Sequence, residues 1–283
     1  MNNISEIFRK NMLSTELVIG AYNYMYPTLD TNKGGIRCFI QSLRQFNKTC
    51  TIVVLMNTCP PEIAQFFNKY NVKFILGYND NLMFTRFIIY YQIISENSIF
   101  EKILMSDMND VIFQGNPFDI ILDGDKLYLA QEGNCYNDKT NSSSQLNMNW
   151  IKNTSGLNKL PKLINKNYLD KNVVCAGTIF GNRLAVNTYL EWYIEVQKSN
   201  NIRCNDQGLL NIYAYEFNKH NVTILNYDRS LILTLDRIDF NKIDKNNSGF
   251  LLNSSGVKYI IIHQIDRCGY NNLEYLKKTI IGE

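Results

Sequence analysis

No apolar run in this sequence approaches the roughly 18 to 20 residues that a membrane-spanning helix requires, so no span is expected. The amino end, Met1 to Ser14, is polar and lacks the apolar core of a signal peptide, which points to the cytoplasm, or to a host cytoplasm if the source is viral. Cysteine pairs are also missing. The seven cysteines (Cys38, Cys50, Cys59, Cys135, Cys175, Cys204 and Cys268) form an odd set with no Cys-x-x-Cys, which argues against a disulfide framework or a zinc site and fits free thiols in a reducing compartment. Lysine and arginine are scattered, and a net charge of +3 without a dense basic stripe argues against a nucleic-acid groove. Histidine is scarce. Of only two, His220 lies in a polar Asn-Lys-His-Asn turn and reads as solvated. No internal repeat and no domain linker interrupts the chain. Asparagine, by contrast, is abundant throughout, and the Asn-x-Ser triplets starting at Asn141 and Asn253 follow from that excess rather than from glycan acceptance.

What is present is a core and a rhythm. At 283 residues and 45% hydrophobic content the chain can bury a large α/β core. Leu17 to Ala21 reads as a buried first strand that leaves into a loop at Tyr22 and Asn23. Ile36, Phe39, Ile40 and Leu43 have helical spacing, Thr51 to Leu55 is a β-branched strand, Pro60-Pro61-Glu62 opens a helix to about Tyr70, and Val72 to Leu76 is a third strand. Asn81 to Ile94 places Leu82, Phe84, Phe87, Ile88, Tyr91 and Ile94 on a broad helical face before a fourth strand. This order predicts an α/β domain with a mostly parallel central sheet flanked by helices, whose ligands sit beyond the carboxyl ends of the strands. Further strands are expected at Lys126 to Ala130, at Val173 to Phe180 with a break at Gly177, at Val222 to Leu225 and at Tyr259 to Ile262. Helices are expected at Leu184 to Gln197 and at Asp206 to Phe217, with Asp206 as cap. Gln131 to about Asn167 is polar, with scattered Leu146, Trp150 and Ile151, and suits a substrate-covering segment.

The fourth strand carries the chemistry. Ile103 to Ser106 drives straight into Asp107, Asn109 and Asp110, hard oxygen ligands suited to a divalent cation, and Val111 to Phe113 then returns to a buried pattern that pins the cluster at a sheet edge. By itself such a cluster also fits a turn whose carboxylates cap the next element. His263, at the end of the apolar Tyr259 to Ile262 run, can complete a carboxylate and imidazole site suited to Mn²⁺, or Mg²⁺. Arg86, one turn before Tyr90, is a candidate to reach a nucleotide through its guanidinium fork. Arg267 is a candidate to hold an anionic leaving group, against a plain pair with Asp266. Glu132 is a candidate acceptor ligand or base, against a solvated loop residue.

In order along the chain, Asp107-Met108-Asn109-Asp110, Cys175-Ala176-Gly177, Asn205-Asp206-Gln207-Gly208-Leu209-Leu210-Asn211 and His263 resemble the metal motif, donor-sugar segment, helix start and metal histidine of the GT-A-fold glycosyltransferases, closest to glycosyltransferase family 8. The resemblance covers Leu17 to about Tyr270. It departs at Asn109, where the family usually has Asp, and at Cys175, where it has Asn. It implies a single GT-A (Rossmann-like) domain over 1–283, with a nucleotide-binding half over 15–125 and a donor-sugar and acceptor half over 126–283. It implies a UDP-sugar donor, with Ala21, Tyr22, Asn23 and Tyr24 around uracil and ribose, and Ser106, Asp107, Met108, Asn109 and Gly177 on the donor as well. Asp206 and Gln207 would be catalytic, stabilising an oxocarbenium-like sugar, and hexose transfer would retain configuration. Asp107 and His263 would hold the metal together with Asn109 or Asp110, the choice between those two staying open.

The acceptor, whether glycan, protein or small molecule, is not identified, and a homodimer is compatible with the chain. Three rivals remain: an inverting transferase with Glu132 or Asp206 as base, an idle nucleotide-sugar binding module, and a sugar nucleotidyltransferase. The last expects a glycine-rich cationic phosphate loop after the first strand, which Tyr22 to Leu29 lacks.

Overall fold

In the computed structural model, which describes residues 14–22, 27–77, 82–120, 124–136, 142–155, 171–200, 206–217, 220–226, 228–236 and 238–282, strand and helix alternate as the periodicity predicts. The first half runs β1 (Glu16–Ala21), α1 (Gly35–Phe46), β2 (Thr51–Met56), α2 (Pro61–Lys69), β3 (Val72–Leu76), α3 (Leu82–Glu96) and β4 (Lys102–Ser106). These strands are apolar at odd and even positions because both faces of their sheet are covered. Leu17 and Ile19 of β1 pack with Phe87 of α3, whereas Val18 packs on the other face with Ile36, Phe39 and Ile40 of α1. On α3 the deepest residues are Phe87, Tyr90, Ile93 and Ile94, and Ile88 and Tyr91 pack only in part, so the buried stripe is rotated from the one expected.

The second half adds β5 (Val111–Phe113), β6 (Leu127–Cys135), α4 (Ser142–Ser155), β7 (Asn172–Asn182), α5 (Arg183–Asn200), α6 (Asp206–Ile212), β8 (Val222–Leu225), β9 (Ile232–Thr234), β10 (Ile261–His263) and α7 (Tyr270–Ile281). The main sheet has seven strands in the order β3-β2-β1-β4-β7-β6-β8. β1, β2, β3 and β4 are parallel, while β7 runs antiparallel to both β4 and β6. The chain leaves β1 toward β2 on one side and returns to β4 on the other, so the carboxyl ends of β1 and β4 flank a topological switch point. Their proximity is tight: a Cβ on Gly20 would lie 2.7 Å from Cγ of Met108.

Several expectations change. The sheet edge expected at Val111 to Phe113 is that of a second, three-stranded sheet, order β5-β10-β9, packed against α7. The Asp107 cluster therefore lies at the junction of two sheets. β7 runs unbroken through Gly177, whose carbonyl is bonded by the Asp107 amide just past β4. β6 extends past Ala130 through Glu132, with irregular register against β7, so Glu132 is a strand residue and not a solvated loop residue. The last strand is shorter than Tyr259 to Ile262 and includes His263. Part of the polar stretch expected to cover substrate is α4, and 156–167 lies outside the described residues. The helix expected from Asp206 to Phe217 is α6 followed by a wider π-type turn, Tyr213–Phe217. No helix among the described residues is long and apolar enough to cross a membrane.

Candidate active site

Strand pairing decides which side chains meet. Ser106 pairs with Thr178 at the end of β4, and the next amide, Asp107 N–H, donates to the Gly177 carbonyl at 2.9 Å. The chain then turns. Met108 is buried against Gly20, and the Asn109 carbonyl accepts from the Gly35 amide at 2.7 Å. Val111 of β5 then lies opposite His263 of β10 in antiparallel register, and the Ile265 amide donates to the Asp110 carbonyl at 3.1 Å. Asp110 is thereby delivered beside the imidazole. His263 Nε2 lies 3.6 Å from Asp107 Oδ2 and 3.7 Å from Asp110 Oδ1. One ligand atom from each of the three falls within 4.8 Å of the others, a spacing that a single divalent ion can bridge.

Asn109 does not join them. Its Oδ1 accepts from the Thr31 hydroxyl at 2.9 Å and ties down the loop before α1, while Asp110 is the one of the two that lies beside the ring. Gly177 explains the closeness of the cluster. A Cβ there would sit 2.5 Å from His263 Nε2 and 2.8 Å from Asp107 Oδ2, so only glycine admits the ring.

Arg86 links the cluster to α6. Its Nη1 donates to Asp107 Oδ1 at 2.7 Å and its Nη2 to Asp206 Oδ2. With its side chain 5% exposed and both arms engaged, Arg86 clamps two carboxylates in the wall of the cavity. It is held there by its neighbour: Phe87 packs edge-on against Tyr193 and Tyr189 of α5, which fixes α3 on α5. Asp206 is the first residue of α6, not a cap ahead of it, and its Oδ1 accepts from the adjacent Gln207 amide at 2.7 Å. Gln207 is fully engaged. Its Oε1 accepts from the Ala176 amide, and its Nε2 donates to Asn147 Oδ1 at 2.6 Å and Glu132 Oε1 at 3.2 Å. Asn211 bonds both the amide and the carbonyl of Val174 at 2.8 Å and so pins α6 to β7.

Arg86, Asp107, Asp110, His263, Asp206, Gln207 and Glu132 lie in the wall of one cavity of about 240 Å³. Burial alone would raise the Asp107 pKa, but Arg86 and His263 outweigh it and hold that carboxyl well below the usual range. Asp110 has no such clamp, and burial pushes it up. Burial likewise pushes the Cys175 thiol up to about 11, so it is neutral near pH 7. For His263 burial disfavours the charged ring, yet facing Cys175, Asp110 and Asp107 raise its pKa well above the ordinary histidine value.

The remaining candidates divide. Ala21 ends β1 at the switch point and Ser106 is buried, its hydroxyl donating to the Asp107 carbonyl. Tyr22 follows β1, but its ring is buried and its hydroxyl donates to the Thr28 carbonyl at 2.8 Å, so the ring is not a free stacking face. Asn23 and Tyr24 lie outside the described residues. Arg267 pairs with Asp236 at 2.5 Å rather than with Asp266, which faces Lys33 at 3.4 Å, and still lines the cavity. His220 is exposed, as expected. The sequence reading missed Ser143 and Asn147 of α4, which line the cavity one turn apart; their four-residue spacing was the available signal.

No protein-family model matches the sequence, and no curated protein does. Among solved structures, the apo-form glycosyltransferase GlyE of Streptococcus pneumoniae TIGR4 is similar with a TM-score of 0.50 and 18% identity, over 89% of this chain and 55% of that one. Mouse xyloside xylosyltransferase 1, apo form, is similar with a TM-score of 0.47 and 14% identity, over 77% of this chain and 87% of that one. This chain thus spans about 55% of the GlyE structure's length. At that identity the likeness speaks to architecture: the mixed α/β chain, with its mostly parallel seven-stranded sheet, has the GT-A fold.

Proposed function

We propose that this chain is a metal-dependent glycosyltransferase, of the kind grouped in family 8, that moves a hexose from a UDP-sugar to an acceptor with retention of configuration. One observation carries the reading: on a GT-A fold, a cluster of three cation-ligand side chains and a buried carboxylate beside an oriented amide share one cavity, joined through Arg86. Asp107, Asp110 and His263 would hold the ion, and two hard oxygens with one imidazole suit Mn²⁺ or Mg²⁺. Bound there, the ion would act as a Lewis acid toward the departing diphosphate.

The chain's own residues supply the rest. Asp206, kept in place by Arg86 and the Gln207 amide, sets a fixed negative charge where an oxocarbenium-like sugar would form. Gln207 is oriented by Ala176, Asn147 and Glu132 before any substrate arrives, so it needs no reorganisation during the reaction. The leaving diphosphate would help deprotonate the acceptor on the same face. An inverting route has one observation in its favour: Glu132 is buried on β6 in the cavity wall, where a base would be needed. The experiment is to follow UDP release from a panel of UDP-sugars with Mn²⁺ or EDTA, and to read the product anomer by NMR. Release only with the ion and a retained anomer support the reading. An inverted product transfers the role to Glu132, and binding without release leaves a nucleotide-sugar binding module.

A pH dependence follows from His263. Without an ion the ring keeps its proton well above its ordinary pKa, and a cation must displace that proton. Mn²⁺ affinity is therefore expected to fall on acidification, by up to roughly tenfold per pH unit while the ring is charged. Calorimetry in buffers of differing ionisation enthalpy would show the released proton; an affinity that is flat with pH would remove His263 from the ligand set.

A further inference from the structure

On a strand, residues two apart share a face, and β7 turns both Cys175 and Gly177 toward His263. Cys175 Sγ lies 3.4 Å from Nδ1, on the side of the ring away from the carboxylates, and both residues are buried. Gly177 leaves the volume that the Nε2 edge of the ring occupies. An imidazole that gives one nitrogen to a cation must carry its proton on the other, and that N–H needs an acceptor to fix tautomer and ring angle. Here the polar atom against Nδ1 is the thiol sulfur, a weak but competent acceptor.

We propose that Cys175 is a positioning residue: its sulfur accepts the Nδ1–H of His263 and, with Gly177 making room, β7 cradles the ring so that Nε2 aims between Asp107 and Asp110. The segment that resembles a donor-sugar contact thus acts at position 175 on the histidine, not on the sugar. The idea rests on the cation reading given above, and the test separates the two.

Mn²⁺ binding to the full chain can be measured by EPR of the free ion, for the wild type, Cys175→Val and Cys175→Ser, with a thermal melt of each. Cys175→Val is expected to weaken Mn²⁺ binding by about 10- to 100-fold, as losing a ligand's outer partner does, and Cys175→Ser, which keeps an acceptor, to stay within about threefold of wild type. Should the valine variant melt early, Cys175→Ala supplies the same comparison without added bulk. In zinc-loaded protein, long-range ¹H–¹⁵N spectra need resolve only two histidines, and His263 is expected to be protonated at Nδ1. A valine or alanine variant that folds and binds Mn²⁺ within about twofold of wild type overturns the cradle alone. An unprotonated Nδ1 does the same. Absence of Mn²⁺ binding by the wild type overturns the cation reading and the cradle with it.

Discussion

Replacing His263 by alanine is expected to abolish Mn²⁺-dependent UDP-sugar turnover, lowering it by more than about a hundredfold, a larger loss than removal of an outer partner produces. Without the imidazole, Asp107 and Asp110 are left with no nitrogen ligand beside them. Asp107→Ala is expected to have the same effect on activity, but with a second consequence: Arg86 Nη1 loses its acceptor in a nearly closed site. Asp107→Asn separates the two. The amide oxygen can still accept from Arg86, so stability recovers while the charge a cation needs is gone. UDP release and a melting curve for each variant provide the check, and full activity in either the His263 or the Asp107 variant would remove that residue from the site.

Arg86→Met is expected to destabilise the fold by roughly 3–5 kcal/mol, the cost of leaving a buried carboxylate without its partner. The burden falls on Asp206, whose side chain is 11% exposed and whose Oδ2 depends on that guanidinium. Asp107, at 33%, can turn to water or to His263. The loss should appear in urea unfolding without nucleotide or metal, because the clamp is internal to the protein. Adding Asp206→Asn to Arg86→Met should recover part of it, since the orphaned charge is then removed. A loss under about 1 kcal/mol would mean that the clamp is hydrated and works as a surface pair.

Much of the architecture was legible because it is local. Leu17 to Ala21, Thr51 to Leu55 and Val72 to Leu76 are β-branched or apolar runs between helical patterns, and each became a strand within a residue of its expected limits. Elements held by pairing were not legible. Gln131-Glu132-Gly133 has no strand periodicity, and the backbone of β7 extends β6 through it. Likewise β9 is three residues long and exists because β10 lies beside it.

The same division governs the site. Residue type and position made Asp107, Asn109, Asp110 and His263 legible as candidates at the ends of apolar runs, and the family resemblance did the same for Asp206 and Gln207 at a helix start. Their partners were not. Arg86 meets Asp206 across 120 positions, and Asn109 meets Thr31 across 78, distances over which a linear pattern carries no signal. That Asp110 lies beside the ring follows from the pairing of β5 with β10, which sets Val111 opposite His263. The sequence by itself determined the layering and the stock of polar groups, through burial and backbone periodicity. Tertiary structure alone decided which of those groups touch, because contact depends on register between segments far apart in the chain.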